Sequence, residues 1–480
     1  MRTPERQLSM LDEMLSAAAE RGLLLRTPDD APLDGRIIGL DGRPHLNFGS
    51  CSYLGLEVDS RMKEAVCAAV MRYGTQFSSS RSYLSAPPYP QLEEMLGEMF
   101  GGHVLVAPST SLGHLAALTV LVGSGDAVVL DQQVHSSVQM AVDQLRVNGT
   151  RVELIRNNRM DRLETMIKRL APDHGRVWYM ADGVYSMFPD LAPFAELTEL
   201  LERHEQLHLY VDDSHGVGWA GRHGRGPALE HFAGHERVVV AASLNKSFAA
   251  AGGALVFPNA ELKRRVRTVG GPMIFSGPVQ PPMLGAAVES ARIHLTPELA
   301  ERQVALRNRI ELCTELLEEF CLPLESHEIT PIRYVRLGLP RVAQTVVSRL
   351  LDEGIYTNLA MFPAVPMKQA GVRITLTLHH EAARHPHAGR GARAPCARGT
   401  GGGGGSRGGP RTRSAGRRHE RHRPRIARRG PAPAPRAPPD HRRARPTRMG
   451  PPAGRPRQLH RRRPGLPRAR LHAAVRPSGG

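Results

Sequence analysis

The chain has 480 residues, 41% of them hydrophobic and 23% charged, a mixture ordinary for globular proteins and far from that of a membrane-spanning or wholly disordered chain. Its formal charge of +18 is unevenly shared: residues 381–480 hold 27 Arg, no Lys and three acids, which makes +24 and leaves −6 on residues 1–380. A mildly acidic body argues against nucleic-acid binding by the fold itself, and at ~150 residues per domain the length allows about three domains and a deep, enclosed site.

The N-terminal stretch is charged and amphipathic from Leu11 to Leu24. It lacks the apolar run of roughly 7–15 residues that a secretory signal needs, and no stretch reaches the ~20 apolar residues that cross a bilayer. Five cysteines without a CxxC pair argue against a disulfide framework and against a cysteine-rich zinc site, so no metal is expected and a cytoplasmic location is. Short β-rich runs then follow at 104–107, 127–130, 151–155, 177–181, 207–211 and 238–242, separated by helical patterns at 112–122, 134–147, 161–170 and 193–204. Strand and helix alternating at this spacing predict βαβ units and a mostly parallel sheet. Beyond residue 288 a long helical pattern (297–320), a strand (332–337), a helix (342–353) and a last strand (372–378) predict a smaller α+β domain. The expected organisation is an N-terminal arm (1–45), a large domain (46–287), a small domain (288–380) and a tail (381–480).

The tail contains no Phe, Tyr, Trp, Lys or Asn. It cannot bury enough apolar surface to offset its ordering entropy and is expected to be disordered. Its Arg, Pro, Gly and Ala are what GC-rich DNA encodes when read out of frame, and the break is abrupt, so a frameshifted end is the leading reading. A nucleic-acid-binding tail is the remote alternative, and it lacks the aromatic stacking platforms such tails interleave.

Polar residues stand directly after four predicted strands: Asp131 and His135, Asp182 and Ser186, Asp212-Asp213-Ser214-His215, and Ser243-Leu244-Asn245-Lys246. Singly, each has a bland explanation as a helix cap, a structural imidazole or a solvated charge. Together they converge on the carboxyl rim of one sheet, where α/β proteins bind ligands. A lysine among acids and imidazoles suits Schiff-base chemistry with a carbonyl cofactor. Pyridoxal phosphate needs such a lysine, a carboxylate for its ring nitrogen, a flat group against its ring and a phosphate cradle. Ser109-Thr110-Ser111, before a predicted helix, suits the cradle.

The ordered set of motifs resembles the α-oxoamine synthase family of fold-type I pyridoxal-phosphate enzymes. It comprises Leu46-Asn47-Phe48 with Tyr53-Leu54-Gly55-Leu56, Asp182-Gly183-Val184-Tyr185-Ser186-Met187, Asp212-Asp213-Ser214-His215-Gly216, Ser243-Leu244-Asn245-Lys246 with Gly252-Gly253, Ile274-Phe275-Ser276, and Arg373-Ile374-Thr375. The resemblance implies an α/β transferase fold with a large, mostly parallel sheet domain and a smaller α+β domain. It implies that Lys246 carries the cofactor, Asp212 pairs with its ring nitrogen, His135 stacks on the ring, and His215 and Ser186 approach the ring oxygen. By the same resemblance Thr110, Ser111 and Ser243 hold the phosphate, Ser276 reaches the phosphate of a neighbouring subunit in a homodimer, and Arg373, with Arg26, binds the amino-acid substrate. The implied reaction condenses an amino acid with an acyl thioester, on coenzyme A or a carrier protein, and loses carbon dioxide to give an α-aminoketone. Lys246, His135 and His215 would be its catalytic groups. An aminotransferase or decarboxylase on the same fold is the alternative. Ser78-Ser79-Ser80-Arg81 stands where the family commonly has a glycine-rich loop, Ser111-Leu112 where it has an aromatic, and Phe188-Pro189 where it has Asp-Gly.

Overall fold

In the computed structural model, residues 4–381 are described; the tail expected over 381–480 lies, but for its first residue, outside them. The chain opens with a helix, Pro4–Glu20, and a hairpin of β1 (Ile37–Leu40) and β2 (Arg43–Asn47). Seven strands build the main sheet: β3 (His103–Ala107), β4 (Ala127–Asp131), β5 (Arg151–Ile155), β6 (Val177–Asp182), β7 (Leu207–Asp212), β8 (Val238–Ser243) and β9 (Gly253–Phe257). Their order is β3-β9-β8-β7-β6-β4-β5, with β9 antiparallel to both neighbours and the pairs from β8 to β5 parallel. The six strands expected in this sheet all form, each within one residue of its expected limits, whereas the last expected strand, 372–378, runs instead from Ala370 to Thr375. The antiparallel β9, behind the Gly252-Gly253 pair, had no strand expectation.

Sequence explains this burial. Strands β4, β6 and β8 are buried along their whole length and are nearly all apolar, as expected where helices cover both faces of a sheet. Successive side chains alternate between two cores: Val104, Val129, Leu209, Val211 and Val240 face one, whereas Leu105, Val128, Leu130, Tyr210 and Ala241 face the other. Each such aliphatic side chain contributes ~1.5–3 kcal/mol on leaving water. The helix Thr110–Leu121 is apolar nearly all round because it lies between sheet and neighbouring helices, and Ser109 caps it by accepting from the Leu112 N–H at 3.2 Å. By contrast, the helix Met160–Leu170 buries only Leu163, Ile167 and Leu170, one stripe of a charged surface helix.

Past the helices Pro281–His294 and Glu298–Glu319 lie β10 (Ile332–Gly338), the helix Pro340–Asp352, β11 (Ile355–Tyr356), β12 (Asn358–Ala360) and β13 (Ala370–Thr375). Strands β10, β13 and β12 form an antiparallel sheet, while β11 runs parallel to β2 and so joins the N-terminal hairpin to this region. Ala18 and Leu23 enter the same apolar cluster as Ala343, Val347 and Val372, which docks the first helix here. The segment following β2 is stitched to β11 and to β13 with the chain just past it: Phe48 N–H donates to Tyr356 O at 2.9 Å, Thr375 N–H to Phe48 O at 2.8 Å, and Leu378 N–H to Tyr53 O at 2.9 Å. Cys51, Cys67 and Cys313 are free thiols. Among the described residues no helix is long and apolar enough to cross a membrane, and no cluster of three or more His, Cys, Asp or Glu is set to hold a metal.

Candidate active site

The chain leaves β4 for β5 on one side and returns to β6 on the other, and this reversal opens a crevice at the carboxyl ends of the strands. A cavity of about 300 Å3 lies at this rim, lined by Ser109, Thr110, Ser111, His135, Asp182, Asp212, Ser214, His215, Ser243 and Lys246 among others. Seven of the residues expected from sequence therefore meet in one place: Lys246, Asp212, His135, His215, Thr110, Ser111 and Ser243. The first turn of the helix Thr110–Leu121 ends in the cavity with its free backbone N–H groups, as an anion cradle requires. Gly253 permits this approach, because a Cβ there would stand 2.6 Å from the Thr110 nitrogen.

Each ionisable group is held by specific neighbours. Burial alone would raise the Asp212 carboxyl, but His114 and Lys246 outweigh it and hold the group below the usual carboxylate range. Its Oδ2 accepts from His114 Nε2 at 3.0 Å and its Oδ1 from the Ser214 N–H at 3.0 Å. Asp182, on the next strand, is pushed well up by burial and then by Asp212. Two adjacent buried carboxylates cannot both ionise, and the His114 hydrogen bond and the Lys246 charge favour Asp212. Burial also pushes the Lys246 amine down, against the pull of Asp212, so more of it is neutral than on a surface lysine.

The two histidines are oriented from behind. His135 accepts at Nδ1 from the Ser137 hydroxyl at 2.7 Å, while its backbone N–H donates to Asp182 Oδ1 at 2.9 Å. His215 Nδ1 lies 2.8 Å from the Tyr53 hydroxyl. Burial raises that phenol well above its ordinary value and lowers the imidazole well below its own, so Tyr53 donates and His215 is neutral with its proton on Nε2.

Four expected residues do not line this cavity. Arg373 is buried, donates from Nε to Ser186 O at 2.6 Å and contacts Cys51 Sγ at 3.6 Å, and its charge still acts on Lys246 and His215. Ser186 thus meets Arg373 through its carbonyl. Ser276 lies on a separate surface cavity of about 290 Å3 with Phe77, Ser80 and Phe275. Arg26 pairs with Asp41 and donates to Gly22 O at 3.1 Å. The altered loop before residue 82 is anchored by Arg81, whose guanidinium lies over the Tyr89 ring at 3.6 Å, pairs with Glu93 at 2.9 Å and donates to Val106 O at 2.7 Å. Asp131, conspicuous in the sequence, is spent on structure: it accepts from Gln133 N–H, Asn158 N–H and the Tyr179 hydroxyl. Sequence reading missed His114, Ser137, Tyr53 and Cys51. Only Tyr53 stood in a recognised motif; His114 is hidden in the middle of an apolar helix.

Residues 43–386 match the family model of aminotransferases of class I and II. The 8-amino-7-oxononanoate synthase of Maricaulis maris is 32% identical over 373 residues, covering 77% of this chain and 91% of that protein. The synthase of the same name from Symbiobacterium thermophilum is 33% identical over 346 residues, covering 71% and 86%. A serine palmitoyltransferase of Sphingobacterium spiritivorum is 30% identical over 351 residues, covering 71% and 84%. Among solved structures, the serine palmitoyltransferase of Sphingomonas wittichii superposes with a TM-score of 0.70 at 24% identity, over 80% of this chain and 95% of that one.

Proposed function

The chain belongs to the class I and II aminotransferase family, in its α-oxoamine synthase branch, and from that premise we propose that the Lys246 cavity holds pyridoxal phosphate and condenses an amino acid with an acyl thioester. Carbon dioxide leaves, and an α-aminoketone results. The observation that carries this reading is the pairing of a desolvated amine with a stabilised carboxylate on adjacent strand ends, Lys246 after β8 and Asp212 on β7, around a cavity that also receives a helix N-terminus. The residues fit the cofactor on grounds of their own. The Ser214 hydroxyl is buried at this cavity without a protein partner, and the cradle at Thr110 is kept open by Gly253.

When bound, pyridoxal phosphate supplies an electron sink for a carbanion at the amino acid's α-carbon. The protein's part is to bind and to move protons. Lys246, partly neutral, would hold the cofactor's carbonyl carbon and, once released, could take up the proton at the α-carbon. Asp212, held by two donors, would accept from a ring N–H. The N–H groups at Thr110 and Ser111, with Ser243, would hold the phosphate, and His135 would offer a flat ring to the cofactor. His215 presents its Nε2–H to an oxygen, backed by Tyr53. Arg373 offers donors beyond the two contacts it makes inside the protein, and its planar fork suits the substrate carboxylate. Ser186 supports Arg373 through its carbonyl, and Arg26 stands near the substrate only by rearrangement of its pair with Asp41. The exposed Phe275 and the Ser276 cavity suit contact with a second copy, in a cytoplasmic homodimer.

Lys246→Ala protein loaded with pyridoxal phosphate should lack the borohydride-reducible visible chromophore that the wild type forms; retention of that chromophore overturns the reading. Incubation with an amino acid and an acyl-CoA should release free thiol and carbon dioxide. Amino transfer to a 2-oxo acid without thiol release would identify an aminotransferase instead.

A further inference from the structure

Behind Asp212 stands a group that neither the motifs nor the proposed chemistry uses. His114 is fully buried on the helix that begins at the cradle. Its Nε2 lies 3.0 Å from Asp212 Oδ2 and its Nδ1 2.8 Å from the Tyr210 hydroxyl. We propose that His114 is a positioning residue for the cofactor's ring nitrogen, acting through Asp212, with Tyr210 as its outer support. The inference rests on the proposed function above.

The direction of the hydrogen bonds follows from what each group can do. A carboxylate only accepts, so His114 Nε2 must carry a proton. With Nε2 as the donor to Asp212, Nδ1 faces the Tyr210 hydroxyl at 2.8 Å. That phenol keeps its proton, since burial and the Asp212 charge both raise it well above its ordinary value. Tyr210 and Asp212 are two residues apart on β7 and therefore face the same side of the sheet, the side on which the helix bearing His114 packs. The result is a chain of hydrogen bonds running from Tyr210 through His114 to Asp212. One Asp212 oxygen is pinned by this chain and the other by the Ser214 N–H. The plane of the carboxylate is thus fixed from two sides, with lone pairs left over for a ring N–H.

Packing alone does not account for the arrangement. An apolar side chain of similar size would fill the space between helix and sheet, without two hydrogen bonds of 3.0 Å or less to two partners on one strand. Buried polar chains of this kind tend to specify one geometry when every member is satisfied.

The test uses the full-length protein, stripped of cofactor and titrated with pyridoxal phosphate, followed by visible absorbance. His114→Leu should weaken cofactor affinity about tenfold, the lower end of what outer partners of a bound charge contribute. It should also raise the pH midpoint of the bound cofactor's visible band by about one unit, because a ring nitrogen that loses its proton withdraws less electron density from the reactive end. His114→Gln, which restores one N–H donor, should recover part of both effects, and Tyr210→Phe should move the midpoint less but in the same direction. A lowered melting temperature in His114→Leu with unchanged affinity and unchanged midpoint overturns the inference and makes the residue a packing element. If His114→Leu does not fold, an unchanged midpoint in both His114→Gln and Tyr210→Phe overturns it equally. Wild type that forms no chromophore overturns the site assignment itself, and is distinguished from the other outcomes by failing before any variant is compared.

Discussion

Arg333 and Arg373 stand on neighbouring strands of the small sheet, both buried, and they are put to opposite uses. In the register, Arg333 pairs with Ile374 and Arg373 with Tyr334, so the two guanidinium groups leave opposite faces. Arg333 turns into its own region and donates to three backbone carbonyls, Ser326 O at 3.4 Å and Glu328 O and Thr330 O at 2.6 Å each. Arg373 leaves the other face, where its hydrogen-bonding contacts are Ser186 O in the loop after β6 and Cys51 Sγ in the segment after β2. A guanidinium has five donors. The lesson is that burial, charge and spare donors do not by themselves separate the two, since Arg333 keeps a buried Nε without a partner; what marks Arg373 is that its charge acts on Lys246 and His215.

The comparison breaks if Arg373 proves structural. Arg373→Leu should lower kcat/KM for the amino acid by about 10^3-fold, ~4 kcal/mol, the scale of losing one partner of a buried charged pair, with a melting temperature near that of the wild type. Arg373→Lys should recover only part of this, lacking the planar fork. A collapse of the melting curve with normal activity per folded molecule would reverse the roles.

A third buried base shows what happens when no acceptor is supplied for a charge. His294 donates from Nδ1 to Ser290 O at 2.8 Å, its Nε2 has no partner, and Phe248 packs on it at 4.9 Å between ring centroids. Burial, opposed in part by Ser290 O, pushes it down to about 4 from 6.5. The folded value lies below the unfolded one, so as pH falls the unfolded chain takes the proton first. The stabilisation is whole above ~6.5 and is lost toward ~4, about 3 kcal/mol in total. Urea unfolding should show this decline, and His294→Gln should flatten it; an equal slope in both would remove His294 from the account.

Arg333→Met should leave kcat/KM unchanged and cost about 2 kcal/mol in urea unfolding, through the carbonyls it abandons. The smallest effect sharpens the comparison at its other end. Cys51→Ser replaces a weak sulfur acceptor beside Arg373 by a better one, and should change KM for the amino acid by less than about threefold; a change of tenfold or more would give Cys51 a direct part in substrate binding.

Of the six legible strands of the main sheet, β4, β6 and β8 are fully buried parallel strands written as unbroken apolar runs, whereas the antiparallel β3 and the edge strand β5 were legible as β-rich residues between turns. β9 was not, since its two glycines read as a motif and antiparallel placement leaves no mark on five apolar residues. The helix Pro281–His294 begins at a Pro-Pro pair, which reads as a breaker although proline suits a helix's first turn. At the site, groups on strand ends announced themselves by being polar where apolar residues stop. His114, Ser137 and Cys51 gave no such signal. Their importance comes from which strand end they meet in space, and a single sequence does not carry that distance.

The backbone stitches between residues 48–53 and the small sheet have a mechanical outcome. Because Phe48 and Tyr53 are tied to β11, to β13 and to the chain just past it, the loop carrying Cys51 and Tyr53 is fixed in place relative to the strand that bears Arg373. The hydroxyl that backs His215 and the guanidinium suited to a substrate carboxylate therefore share one backbone frame, so a substitution that loosens either stitch should disturb both ends of the site together.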